Sequence, residues 1–494
     1  MAKLFAALLR QSRRNARISD MKSFFKSLFY KNYFWILVIV TAFLLFRIYT
    51  TVKYYGVCYD CSIYLSQAKY IYSLGASGYF EPLRPMVLAL IVGFGWLLGI
   101  DISIFGTIIS LGFSAASIYL VYLICREMKY RPAMLLAPFL LAVTPVYFFH
   151  SGQILTDIPS TFFALLSFYF FVKKKYAWTG FFAAAAFMAR FPQGILLAAY
   201  MLVFFVEFIV SRKFKQSSKN FTKFLVPYFI VVIAYLIFNA FKYSSADTLA
   251  EAMFWPFAQG TYTIAHAGLW LYSGDIFYYF SGLITQNVFL IFALPFVFYY
   301  FYEKKYTQPN YNFLIFTLVL LFTYFTQMPH KEMRFALVFL PYAAIVSGIG
   351  FSKIFNKLGE RLIIAFIILA LVISVFVFPK IEFKEYTPPS GKALCDFINS
   401  HNISGPLVIT TPLVMPCVDN KLEANFFSPP ILIETLDKNP DAVLVHSSNS
   451  FLCADTDTEC KRQIQQLSDY LSANYNLVFF DKQESSTIYI FKRK

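Results

Sequence analysis

Charge is scarce in this chain. Only 14% of its 494 residues are charged, and Asp and Glu together number 27. With 58% hydrophobic residues, it has too few polar groups to cover its apolar surface. That excludes a soluble globular protein and implies a polytopic membrane protein. Internal repeats and low-complexity tracts are absent. Their absence tells against a transporter built from two repeated halves. No small-residue cleavage site follows the first apolar run, so the N-terminus is read as uncleaved. A zinc site at Cys58–Cys61 lacks its other half, because no second CxxC or His pair has a matching spacing.

What is present is aromatic and apolar: 60 Phe and 35 Tyr. The runs long enough to read as spans are 33–52, 103–125, 132–149, 158–172, 177–190, 192–210, 224–241, 285–302, 311–328, 335–352 and 362–379, about eleven in all. Residues 1–32 carry eight basic residues and one acid, which makes them a cytoplasmic tail. The first span then exits. The loops that fall back on the cytoplasmic side are 126–131, 173–175, 211–223, 303–306 and 353–361, all rich in Lys or Arg. The net charge of +16 is therefore a positive-inside pattern and not a nucleic-acid footprint. The parity requires that the apolar stretch 85–99 does not cross. About 15 residues are short for a span, so it reads as a re-entrant or surface helix on the outer side. Pro192 breaks 177–190 from 192–210.

The first outer loop, 53–102, contains an amphipathic pattern over 60–74. Ser62, Ser66, Lys69 and Ser73 form a polar stripe, Tyr64, Ala68 and Ile71 lie opposite, and Gly75 suits the C-terminal cap. After Pro379 the composition becomes polar. Strand-like runs at 407–410, 442–446, 477–480 and 487–491 alternate with helical patterns near 391–400 and 459–474. Residues 380–494 thus read as a small extracytoplasmic α/β domain behind a transmembrane domain over 33–379. Cys58, Cys61, Cys395, Cys417, Cys453 and Cys460 all fall outside, where disulfides form, with the pairing open.

The same parity gathers the rare polar residues on the outer face. Asp60 opens the first outer helix, where it serves either as an N-cap or as a general base. Asp157 lies between two apolar helices ahead of Pro159, again a cap or a functional carboxylate. His330, Lys331, Glu332 and Arg334 crowd one outer turn, and cations there suit a phosphate. Glu81 and Arg84 either pair with each other or meet a substrate. His266, Trp270 and Asp275 lie in the outer loop 242–283 and suit a sugar face or a membrane interface. Gly93, Gly95 and Gly99 do not have nucleotide-loop spacing, and Asp455 and Asp457 read as a solvated loop.

These features, taken in order, resemble the GT-C superfamily of glycosyltransferases. Tyr59-Asp60 sits in the first outer loop, Glu81-Pro82-Leu83-Arg84-Pro85 follows, and Thr156-Asp157-Ile158-Pro159 comes after the next two spans. This order is similar to the branch of protein O-mannosyltransferases and aminoarabinose transferases. The block His330-Lys331-Glu332-Met333-Arg334-Phe335 resembles the HKExRF motif of lipid-linked-oligosaccharide and GPI-anchor mannosyltransferases. The resemblance covers about residues 33–350. Cys61 stands where the family often has Glu after the Asp, which leaves a divalent metal open, and no WWDxG signature speaks for transfer of a whole oligosaccharide. The resemblance implies a polyprenyl-phosphate monosaccharide, a hexose such as mannose, as donor and a protein or glycolipid as acceptor. Asp60 would be the base, Asp157 would orient the acceptor or Asp60's partner, and Arg334 with Lys331 or His330 would hold the leaving phosphate. Glu81, Arg84, Glu332, His266 and Asp275 would line the substrate site. A transporter or flippase of lipid-linked sugars, or a receptor scaffold, are the readings from other classes. Gln286, Asn287 and Arg190 are polar residues near span ends that a transporter would use. Short basic loops without an organelle signal point to a prokaryotic plasma membrane.

Overall fold

The computed structural model describes residues 32–243, 276–354 and 392–494, apart from short internal breaks. The tail before Asn32, the expected span 362–379, and His266, Trp270, Asp275, His330, Cys417 and Asp455 lie outside the described residues.

The membrane part is a bundle of helices. In chain order they are α1 (Asn32–Lys53), α2 (Tyr59–Tyr72), α3 (Val87–Leu97), α4 (Ile102–Glu127), α5 (Ala133–Val143), α6 (Pro145–His150), α7 (Asp157–Val172) and α8 (Tyr176–Ala189). They continue with α9 (Ile195–Ser211), α10 (Phe214–Tyr243), α11 (Tyr278–Gln286), α12 (Ala293–Tyr302), α13 (Pro309–Gln327) and α14 (Leu340–Ile354). Among the described residues five helices are long and apolar enough to cross a membrane, six if one bent pair counts as a span. The rest of the expected spans are shorter or broken. The run 132–149 divides at Thr144, where Pro145 starts a new helix. The run 285–302 turns by 118° between 278–286 and 288–302.

Those two breaks explain each other. Asn287 donates from Nδ2 to Leu140 O and to Thr144 Oγ1, at 3.2 and 2.8 Å, and Gln286 Oε1 accepts from Val146 N at 2.8 Å. Each kink frees backbone groups that a bilayer cannot solvate, and the facing side chains satisfy them. Gln286 and Asn287 are thus committed to structure. The aromatic residues fill the core by stacking: Phe313 lies 4.6 Å from Phe168 and 4.3 Å from Tyr200, ring to ring. Gly180 lets α8 lie directly on α10, since a Cβ there would come within 1.9 Å of Phe224 O.

Among the described residues, three of the four non-glycine residues in the left-handed region are Lys129, Lys174 and Lys304, each just past a helix end. All three lie in loops that the charge pattern puts on one side. Left-handed lysines are strained by roughly 1 kcal/mol, but they set a cation against the helix C-terminus.

Helix α3 spans only 11 residues, about 16 Å at 1.5 Å per residue, which is half a bilayer. It packs beside α2 with Tyr64, Leu65 and Ala68 against Leu88, Ala89 and Val92. The polar stripe of α2 does not face water, contrary to its amphipathic pattern. Ser62, Ser66 and Lys69 are buried. That face meets the C-terminal domain: Lys69 Nζ donates to Pro416 O and Val418 O at 2.8 and 3.0 Å and pairs with Asp419 at 2.8 Å. Ile63 enters the core of that domain with Leu394, Ile398 and Val414. The domain is a five-stranded mixed sheet, with β1 (Leu407–Ile409), β2 (Leu422–Ala424), β3 (Val443–Ser447), β4 (Tyr475–Lys482) and β5 (Thr487–Arg493) in the order β2-β1-β3-β5-β4. Helices lie on both of its faces. The first outer loop reaches its edge, where Leu422 N donates to Gly78 O at 3.1 Å. Only glycine fits there: Gly78 has φ +79°, and a Cβ would meet Ser66 O at 2.3 Å. The contact sets the first loop directly against the C-terminal domain.

Replacing Lys69 with Met would strand two buried carbonyl oxygens, at about 2 kcal/mol. Hydrogen exchange of the amides over 418–424 is expected to accelerate tenfold or more in K69M. Unchanged exchange would show that the docking is held elsewhere.

Candidate active site

Five charged side chains form one alternating chain. Arg84 Nε pairs with Glu81 Oε2 at 2.6 Å, and Arg84 Nη2 pairs with Asp60 Oδ1 at 2.9 Å. Arg334 Nη1 takes the other oxygen, Asp60 Oδ2, at 2.7 Å, while Arg334 Nε lies 2.5 Å from Glu332 Oε2. Three separate segments contribute: the first turn of α2, the loop before α3, and the 3-10 turn Met333–Val338 that precedes α14.

Asp60 is not a helix cap. Cys58 caps α2, and its sulfur accepts from Cys61 N at 3.2 Å. Asp60 stands two residues further on with both oxygens turned to guanidinium groups. Burial would push its carboxyl up, but Arg84 and Arg334 overcome that and hold it well below the usual carboxylate range. Tyr64 backs the cluster, with the Arg84 guanidinium 5.3 Å from its ring centre. Lys331 is buried beside this turn.

Asp157 lies in a second, deeper pair. It begins α7, with Thr156 as the cap residue, and it is 1% exposed. Arg190 Nη1 sits 3.1 Å from its Oδ1, without an aligned hydrogen bond to that atom. The same nitrogen donates to Thr156 Oγ1 at 3.4 Å, which in turn lies 3.4 Å from Tyr64 OH. Phe335 separates the two levels: the guanidinium groups of Arg190 and Arg334 lie 5.2 and 5.4 Å from its ring. Asp157 and Asp60 thus belong to one polar column without touching.

Two arginines of this column escaped the sequence reading as site residues. Arg190 was placed only as a polar residue at a span end. Arg47, buried on α1, donates to Phe149 O at 2.7 Å and Ser151 Oγ at 3.1 Å, and so braces the loop that leads to Asp157. A usable signal existed. Cations are rare at the outer ends of these spans, and Arg47 and Arg190 are such cations.

Cys58 and Cys61 are joined in a disulfide, which overturns the zinc reading of that pair. Cys453 pairs with Cys460, and Cys395 is also disulfide-bonded. Asp457 caps helix α17 (Thr458–Asn474), with its Oδ1 accepting from Cys460 N at 2.9 Å. Among the described residues no group of three His, Cys, Asp or Glu stands ready to hold a metal ion.

No family model matches the sequence, and no curated protein matches it. Solved structures do. ArnT from Cupriavidus metallidurans, bound to undecaprenyl phosphate, superposes with a TM-score of 0.61 at 11% identity, over 93% of this chain and 98% of its own. The apo oligosaccharyltransferase of Archaeoglobus fulgidus gives 0.57 at 13% identity, over 85% of this chain and 70% of that one. The archaeal oligosaccharyltransferase AglB from Archaeoglobus fulgidus, in complex with an inhibitory peptide and a dolichol-phosphate, gives 0.57 at 12% identity over 93% and 74%. The chain has the fold of these GT-C membrane proteins, with a C-terminal α/β domain.

Proposed function

We propose that this chain is a membrane glycosyltransferase. It moves a monosaccharide, a hexose such as mannose, from a polyprenyl-phosphate carrier to a protein or lipid-linked acceptor, with inversion at the anomeric carbon. The observation that carries this reading is the carboxylate of Asp60 held between Arg84 and Arg334. An anionic phosphate competes for the same two guanidinium groups. As the donor phosphate takes them, Asp60 loses its partners and its basicity rises. The acceptor oxygen then attacks the anomeric carbon, its proton passes to Asp60, and the carbon–oxygen bond to phosphate breaks with the electron pair leaving on the phosphate. Arg334 and Arg84, with Lys331 and His330, neutralise that leaving group. Asp157 and Arg190 hold the floor of the site, while Glu81, Glu332, His266 and Asp275 contact the sugar or the acceptor. A donor already anchored in lipid needs no cytoplasmic nucleotide sugar. The likeness to proteins solved with undecaprenyl phosphate and dolichol-phosphate supports this donor class. On this reading residues 1–32 are cytoplasmic, 33–379 carry the catalysis, and 380–494 lie outside a prokaryotic plasma membrane. The reading leaves a divalent metal open and involves no nucleic acid.

Membranes carrying wild type or Asp60→Asn, supplied with radiolabelled polyprenyl-phosphate hexoses, test the assignment. Transfer into the protein or lipid fraction is expected to fall by about 10²–10⁴-fold in D60N at equal expression. Transfer that survives the substitution would remove Asp60 from the chemistry.

The pH dependence follows from the ion pairs. In the free protein the arginines stabilise ionised Asp60, so the acid limb of kcat/KM set by this group lies below the ordinary Asp value of about 3.9. Bound phosphate draws the arginines away and adds negative charge, so the acid limb of kcat lies at higher pH. Arg84→Gln removes a cation, raises the Asp60 carboxyl, and moves the kcat/KM limb upward. Coincident limbs in wild type, or an unmoved limb in R84Q, would contradict the competition.

A further inference from the structure

Asp60 lies inside a covalent ring. The disulfide between Cys58 and Cys61 closes the four residues Cys58-Tyr59-Asp60-Cys61 into a loop that is also the first turn of α2. Hydrogen bonds tighten the same turn: Cys61 N donates to Cys58 sulfur at 3.2 Å and Ser62 N to Cys58 O at 3.0 Å. Cys61 itself is buried against Ile154 and Leu155, the segment leading to Asp157. The ring is therefore anchored as well as closed.

The first turn of a helix is where fraying is easiest. Here that turn carries a carboxylate pulled from two directions by arginines on separate loops. When those arginines transfer to another anion, nothing ionic holds Asp60 in place. We propose that the Cys58–Cys61 disulfide is a positioning device for Asp60, keeping its carboxylate at the acceptor while Arg84 and Arg334 move to the phosphate. This rests on the assignment of Asp60 as base. It adds that the two cysteines, which touch no reacting atom, set the geometry of the reaction.

The test compares wild type with Cys58→Ser/Cys61→Ser, using Cys453→Ser/Cys460→Ser as the reference for losing a disulfide elsewhere. In C58S/C61S, hydrogen exchange over 61–66 is expected to rise. The value of kcat is expected to fall about tenfold with the donor KM nearly unchanged, as for a misplaced catalytic group. The acid limb of the pH profile should also shift upward as the arginine contacts loosen. The reference variant should show none of these changes. If the serine variant is not recovered, reduction with dithiothreitol followed by alkylation gives the same comparison. The dithiol supplies two electrons and two protons to the S–S bond and closes to its own disulfide; the comparison is then C453S/C460S before and after the treatment, the untreated protein being the reference. Unchanged exchange over 61–66 would overturn the proposal, because the ring would not be holding the turn. Raised exchange with unchanged kcat and acid limb would also overturn it. Retention of transfer by D60N would be a failure of the base assignment instead, and the exchange measurement would still report on the ring.

Discussion

Asp60 has one negative charge and two guanidinium partners, and the remaining architecture can be read from that imbalance. Two arginines buried at a membrane rim need more than one carboxylate. Glu81 and Glu332 supply the rest, giving a chain of five alternating charges with a net charge of −1. Removing Asp60 takes a carboxylate from both arginines at once, a loss below the about 3–5 kcal/mol of a fully buried pair because these groups are partly exposed. The chain also explains why the segments meet here. Helix α2, the loop before α3 and the turn before α14 are far apart in sequence, and each brings charges that the others need.

Such a network is well suited to exchange of partners. Arginine binds carboxylate and phosphate through the same planar fork. On the proposed function an incoming phosphate would change which anion each guanidinium faces and leave Asp60 without its ionic partners. Phe335, lying between Arg334 and the Asp157–Arg190 pair, keeps that exchange local. On the proposed function the deeper pair would stay together as the floor of the site.

Much of this was legible in the sequence, for a physical reason. The loops expected outside are poor in Lys and Arg, so His330, Lys331 and Arg334 stood out once the spans were counted. What the sequence does not contain is the pairing. Glu81 and Arg84 are three residues apart and do pair, but the stronger constraint, Asp60 to Arg334, joins positions 274 residues apart with no local signature. The stripe of Ser62, Ser66 and Lys69 misled because periodicity reports that a face is polar, not what covers it. Here the cover is another domain. Strand β2 escaped notice because Glu423 interrupts its apolar run, whereas β1, no longer, is the unbroken run Leu407-Val408-Ile409. The kinks at Thr144 and Asn287 escaped because each is stable only in the presence of the other.

Helix α2 is the element where these strands of argument converge. Its first turn carries Asp60, and its last turn is pinned by Lys69 to backbone carbonyls of the C-terminal domain. Its opposite face packs on α3 and on the loop ahead of Asp157. Two residues of one helix bound on two sides cannot rotate independently: turning Lys69 out of its carbonyl cage would turn Asp60 away from both arginines. The C-terminal domain is therefore not an appendage. It contributes to the orientation of a carboxylate it never touches, through about two and a half turns of helix. An acceptor that engaged that domain would be acting on a body rigidly joined to Asp60.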